Sequence, residues 1–170
     1  MSRAVAMAAL IFAGEAVFFL PFVLARIFRP TMLSVLGLTN TQLGVAFSLY
    51  GIVAMIAYFP GGPLADRFAA RGLMVMALIA TAAGGLLLLG QPSVAAIQGV
   101  YAVWGLTTIL LFWAPVLRAT RRWGGGQAQG RAFGLLDGGR GLVAAVIASA
   151  SVVVFGWIFP AGVASADPTE

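Results

Sequence analysis

Glu15 stands in the middle of an apolar run, with Ile11, Phe12, Phe18 and Phe19 as its one-turn neighbours. A carboxyl with no local polar partner suits a proton carrier, or a counter-charge to a basic group on another segment. Asp137 precedes Arg140 by three residues, the spacing of an i,i+3 ion pair. Arg140 has the alternatives of facing Glu15 or an anionic solute. Gln98, Tyr101, Gly105 and Thr108 recur every three or four residues and share one helical face. Such a stripe can contact a solute or hydrogen-bond a neighbouring helix. Tyr50 and Tyr58 also share a face and read as packing or interfacial anchors. The chain has no His and no Cys, and all ten of its basic residues are Arg. His-based triads, thiol nucleophiles, Schiff bases, Walker-type loops and ordinary zinc sites all go with them. No catalytic residue, cofactor or metal is expected, which leaves binding, ion pairing and proton exchange.

Of the 170 residues, 61% are hydrophobic and 9% charged, with a mean hydropathy of +1.01. A soluble domain carries about 25% charged residues, so the expected surroundings are a lipid bilayer. The net charge of +5 and a pI near 11.1 would suit a nucleic-acid partner. That reading needs a basic patch, whereas these arginines occupy short gaps between apolar runs, and no nucleic acid is expected. Five stretches approach the roughly 20 apolar residues that cross a bilayer: 4–25, 42–59, 73–89, 94–117 and 141–160. Backbone amides in lipid must pair within their own segment, and no two-residue alternation suggests a barrel. The expected fold is all-α: a polytopic membrane helix bundle forming one transmembrane domain over 1–170. The first run has no clean small-x-small site, so it reads as a retained span rather than a signal peptide. It holds eleven Val, Leu, Ile or Phe residues, each favourable by roughly 0.3–0.6 kcal/mol, against about 3 kcal/mol for a central acid. Insertion survives Glu15, but the acid wants a partner.

Arginine placement predicts the orientation. With the N-terminus cytoplasmic, the inside holds Arg3, Arg67, Arg71, Arg118, Arg121, Arg122, Arg131 and Arg140, and the outside holds Arg26 and Arg29. This follows the positive-inside rule, and the tail with Asp167 and Glu170 falls outside. Gln91-Pro92-Ser93 predicts a tight turn, and Arg26 to Asn40 a longer outer loop. Asn40 or Thr41 would cap the second helix. The longest loop runs from Arg118 to Arg140, rich in Gly and Arg, and reads as a flexible tether with Trp123 at headgroup depth. Pro21 and Pro115 should kink their helices.

Between the second and third spans the chain reads Gly61-Gly62-Pro63-Leu64-Ala65-Asp66-Arg67-Phe68-Ala69-Ala70-Arg71-Gly72. Gly61 and Gly62 would let the backbone turn sharply, and Leu64 would pack back onto the bundle. Asp66 could cap exposed amides or pair with an arginine. The segment resembles the signature loop of the major facilitator superfamily, G-x-L-A-D-R-x-G-R-[RK]. Gly62, Leu64, Ala65, Asp66, Arg67 and Arg71 match, while Ala69 and Ala70 depart from it. The stretches Leu36 to Gly44 and Gly130 to Gly141 resemble the starts of the family's second and fifth helices. There is a fainter likeness to the sugar-phosphate and organic-anion branch.

The resemblance implies the N-terminal part of a secondary transporter that moves a small polar solute by alternating access. Full members have twelve helices in two halves, so a C-terminal half or partner chain is also implied. Glu15, Gln98, Tyr101 and Thr108 would face the solute and ion pathway. The Gly62, Leu64, Asp66, Arg67 and Arg71 loop would latch the two halves. The expected location is a bacterial inner membrane, N-terminus inside and C-terminus outside. A small polytopic scaffold or accessory subunit, held to a partner through Gly and Ala faces, is the alternative.

Overall fold

The computed structural model of the protein describes residues 2–159; the expected outer tail with Asp167 and Glu170 lies outside them. Five helices are long and apolar enough to cross a membrane. They are α1 (Arg3–Ile27), α3 (Asn40–Arg67), α4 (Ala70–Leu89), α5 (Val94–Gly124) and α6 (Gln129–Ile158). A short helix, α2 (Arg29–Leu36), lies between α1 and α3. Local chemistry sets most ends. Ser2 and Ser93 each accept from an amide three residues on, at 3.3 Å, and start α1 and α5. Thr39, rather than Asn40 or Thr41, caps α3 in a reciprocal box with Gln42 (2.8 and 3.2 Å). Gly37 ends α2 at φ +61°, and Leu38 N–H donates to Leu33 O at 2.9 Å.

Several segments expected as loops are helical. The Gly61 to Arg67 stretch forms the last two turns of α3, leaving only residues 68–69 between helices. Pro60 and Pro63 sit inside that helix. Neighbouring groups can satisfy backbone positions that proline disturbs in a membrane helix. Here the Arg118 guanidinium of α5 donates to the carbonyls of Ala65 and Phe68 and closes the end of α3. Asp66 therefore does not cap α4: the N-cap position is Ala69, and no side chain bonds the first amides. The Arg118 to Arg140 tether likewise shrinks to residues 125–128. Gly125 turns the chain at φ +59°, and Gln129 Nε2 donates to Arg121 O at 3.0 Å and to Gly125 O. The fifth long helix therefore begins about twelve residues before Gly141, where the fifth span was expected to start, and Arg140 sits inside that helix.

Helix α5 is the central post. Of its most apolar window 56% is buried, against none for α6. Its most extensive partner is α3, and the contact depends on Gly105. A Cβ there would run into the Tyr50 carbonyl oxygen and lie 3.2 Å from Ala54 N. Tyr101 packs edge-on to Phe47 (5.3 Å) and Trp104 (5.0 Å) in the same seam. Trp104 Nε1 reaches across to α4 and donates to Thr81 O at 3.0 Å, in a slot kept open by Gly84. A second apolar cluster, including Val17, Ala77, Phe112 and Leu136, joins α1, α4, α5 and α6. Both prolines lie at or next to π-helical segments, Pro21 within Phe19–Val23 and Pro115 just after Thr107–Trp113.

Replacing Gly105 with Ala is expected to lower the melting temperature in detergent, at a cost of about 1–3 kcal/mol. Gly99→Ala, whose new methyl meets open space, should leave it unchanged. Equal melting of the two variants would contradict the close α3–α5 seam.

Candidate functional site

Glu15 lies twelve residues into α1 and Arg140 eleven into α6. At about 1.5 Å per residue, both sit well inside helices long enough to cross a membrane. The structure brings them together: Arg140 Nε lies 3.9 Å from Glu15 Oε2, and Arg140 Nη1 lies 3.8 Å from Asp137 Oδ1. The expected i,i+3 partner is thus present, but Arg140 also spans to α1. The Glu15 side chain is 8% exposed, Arg140 19% and Asp137 67%, so the pair between helices is the buried one. Either charge alone at this depth costs about 3 kcal/mol; side by side they offset one another.

Three more groups hold the guanidinium. Its Cζ lies 5.4 Å from the Phe18 ring centroid and 5.5 Å from that of Trp113. Gly14 leaves the space through which the side chain passes, since a Cβ there would meet Arg140 Cδ at 2.9 Å. These contacts use ring faces and a gap, so they consume none of the guanidinium's N–H donors. The carboxylates are within Coulombic reach but beyond hydrogen-bond distance. Arg140 Nε is buried and has no hydrogen-bond partner among the described residues.

Two hollows flank this pair. One of about 380 Å³ is walled by Phe18, Phe22, Tyr58, Ile109, Trp113 and Arg140. The other, about 370 Å³, is walled by Phe12, Glu15, Ala16, Phe19, Val143 and Ile147. Both π segments supply walls, through Phe19 and Phe22 on α1 and Ile109 and Trp113 on α5. A π turn widens the helix and re-aims its side chains, which is why it recurs at functional sites.

The polar stripe of α5 goes elsewhere. Tyr101, Gly105 and Thr108 are buried in the α3–α5 seam. Tyr50 OH and Thr108 Oγ1 are 2.6 Å apart, and Thr108 also donates to Trp104 O at 2.6 Å. In this conformation Gly105 lets α3 close over Tyr101 and Thr108, the two stripe residues expected to face a solute. Gln98 is half-buried. Tyr58, expected as an anchor, is exposed and forms a wall beside Arg140. In the signature segment Leu64 is half-buried, while Gly62, Asp66, Arg67 and Arg71 are exposed at one end of the bundle. At that same end Arg3 donates to Trp123 O at 2.5 Å, and Trp123 Nε1 donates to Arg3 O at 2.7 Å. Arg29 Nε bonds Asn40 Oδ1 at 3.1 Å at the opposite end.

Sequence reasoning missed Gly14, Phe18 and Trp113 as parts of the site, and Arg118 as the group closing α3. A Gly directly before a lone acid in a membrane span was a usable signal, because small residues mark close approach of another helix. Phe18 and Trp113 carried none, since aromatic residues abound in every span.

Comparison with known proteins supplies the family. The profile of the Major Facilitator Superfamily matches residues 5–166. Inner membrane protein YqcE of Escherichia coli is 31% identical over 158 residues, which is 93% of this chain and 37% of the relative. Inner membrane protein YihN of the same organism is 36% identical over 120 residues, 71% of this chain and 28% of the relative. The chain thus spans about a third of the length of these curated relatives. No solved structure matches it. With five membrane-length helices and a match along nearly its whole length, the chain is an integral membrane protein that belongs to the major facilitator superfamily.

Proposed function

We propose that the chain acts as the N-terminal part of a secondary transporter that carries a small polar solute by alternating access. The observation that supports this most is the Glu15–Arg140 pair at mid-helix, flanked by two hollows. Ionisable residues at such depth are expensive and mark solute and ion paths. In this reading Glu15 and Arg140 border the path, and Gln98 borders its outer approach. Tyr101 and Thr108 stand behind it and hold α5 against α3. A C-terminal half or partner chain supplies the remaining wall. The α3–α4 junction with Gly62, Leu64, Asp66, Arg67 and Arg71 acts as the latch between halves, and Arg118 braces it from α5. Nothing is covalently transformed.

The arginines support an N-terminus in the cytoplasm and a C-terminus outside. With Arg140 in mid-membrane, Arg3, Arg67, Arg71, Arg118, Arg121, Arg122 and Arg131 share the inner end, against Arg26 and Arg29 at the outer end. The relatives named as inner membrane proteins favour a bacterial inner membrane. One observation favours a scaffold instead: α6 has none of its apolar window buried, which leaves a face for a protein partner. Solute uptake separates the two readings.

The test is a solute-uptake screen under an imposed pH gradient, in proteoliposomes holding the chain together with its C-terminal half. Gradient-driven uptake of a solute is expected, and Glu15→Gln should insert normally but lose the gradient dependence. Undiminished gradient-driven uptake by that variant would remove Glu15 from the proton path. Asp66→Asn is expected to lower turnover by about tenfold with little change in KM, read from initial rates against solute concentration. Normal turnover would eliminate the latch.

A further inference from the structure

The hollow of about 380 Å³ has one charged wall residue, Arg140, and four aromatic ones, Phe18, Phe22, Tyr58 and Trp113. Glu15 is not among its walls; it lines the hollow on the other side of the pair. The lining therefore offers a positive charge and ring faces, with the negative charge held behind. The ring contacts engage the faces of Phe18 and Trp113 and leave the planar fork of N–H donors uncommitted. Both carboxylates stay at 3.8–3.9 Å, and Nε is unpartnered among the described residues. Such a fork matches two oxygens of one anion. The volume lies near the small end of ligand pockets.

We infer that this hollow binds a small organic oxyanion with an apolar or ring-shaped body, through paired hydrogen bonds to Arg140, in competition with the Glu15 carboxylate. This rests on the transport reading only for what happens after binding. Carboxylates and phosphate monoesters share the required chemistry. Competition for one guanidinium couples the anion to a proton. When Glu15 takes a proton from water, its hold on Arg140 falls and the fork is freed for the anion. When the anion is absent, the ionised acid holds Arg140 in place. The other groups facing the pair are Asp137, on the same helix as Arg140 and mostly exposed, and Tyr58 from α3. The arginines of α5 lie beyond Pro115 toward the inner end, where Arg118 is engaged by α3. Anion binding should therefore strengthen as pH falls through the titration of Glu15.

The full chain in lipid nanodiscs is titrated with benzoate, phenyl phosphate, benzamide and benzylamine, reading tryptophan fluorescence and melting temperature. Between about pH 6 and 8 benzoate stays ionised, so a pH effect on its binding reports the protein. At least one anion should bind about tenfold or more tighter than benzamide and benzylamine; which anion wins identifies the oxyanion. Arg140→Lys, which keeps the charge but loses the fork, should weaken that anion by about tenfold. Glu15→Gln should tighten it at the upper pH and, for benzoate, abolish the pH dependence. Binding of neither anion more tightly than benzamide, preference for benzylamine, no binding by any probe, or a pH dependence of benzoate binding that survives Glu15→Gln would each overturn the inference. Anion binding without proteoliposome uptake would uphold this site while removing the transport reading. Uptake of a cation that competes at Arg140 would do the reverse.

Discussion

A charge in the middle of a bilayer persists only beside its opposite, and the Glu15–Arg140 contact is how this chain meets that constraint. Hydrocarbon solvates ions poorly, so an isolated carboxylate or guanidinium would have to snorkel, thin the bilayer or draw in water. Pairing across α1 and α6 removes the need. It also fixes which faces of the two helices meet, and Gly14 and Gly139 record the consequence. A methyl at the first would strike Arg140, and at the second Ile11. The glycines make the approach close, and the charges select its register. An ion pair without short hydrogen bonds can be opened by a proton or a competing anion at modest cost, which is what the proposed transport role would call on.

Around that pair the bundle is closely packed. Helix α5 is pinned to α3 through Gly105 and the Tyr50–Thr108 hydrogen bond, and to α4 through the Trp104 indole. These are packing and hydrogen-bond terms, the forces that hold helices together when lipid offers no hydrophobic preference between them. Among the described residues the membrane-length helices depart from α geometry at the two π segments. They lie on the walls of the hollows, so a change in their register would move Phe22 and Trp113 relative to Arg140 without loosening the α3–α5 seam. The inner end is held by Arg118 on the last carbonyls of α3 and by the mutual Arg3–Trp123 contacts.

Reading the sequence alone located the five spans, because a bilayer demands long apolar segments and tolerates little else. It misplaced the start of the fifth, and the reason is physical. Gly130, Gly134 and Gly138 look like part of a tether by the helix propensities of water, yet they lie inside α6, and in lipid an unpaired backbone is dearer than a glycine in a helix. Arg140 was consequently counted as a loop charge when it lies inside a helix beside Glu15. The stripe on α5 was legible as one face but not as to what it faced. Tyr and Thr serve helix packing and solute contact with the same hydroxyl, and only the proximity of α3 decides between them. The signature segment was recognisable by its residues, but its Gly-Gly-Pro was read as a turn when it is helix closed by an arginine some fifty residues on.

The central claim is that Glu15 and Arg140 compensate each other inside the membrane, and a double-mutant cycle on thermal stability in nanodiscs measures it most directly. Glu15→Gln and Arg140→Gln should each destabilise the chain, and the double variant should be more stable than the sum of the two losses implies. The account expects a coupling of about 1–3 kcal/mol. Additive losses, with no coupling, would contradict it.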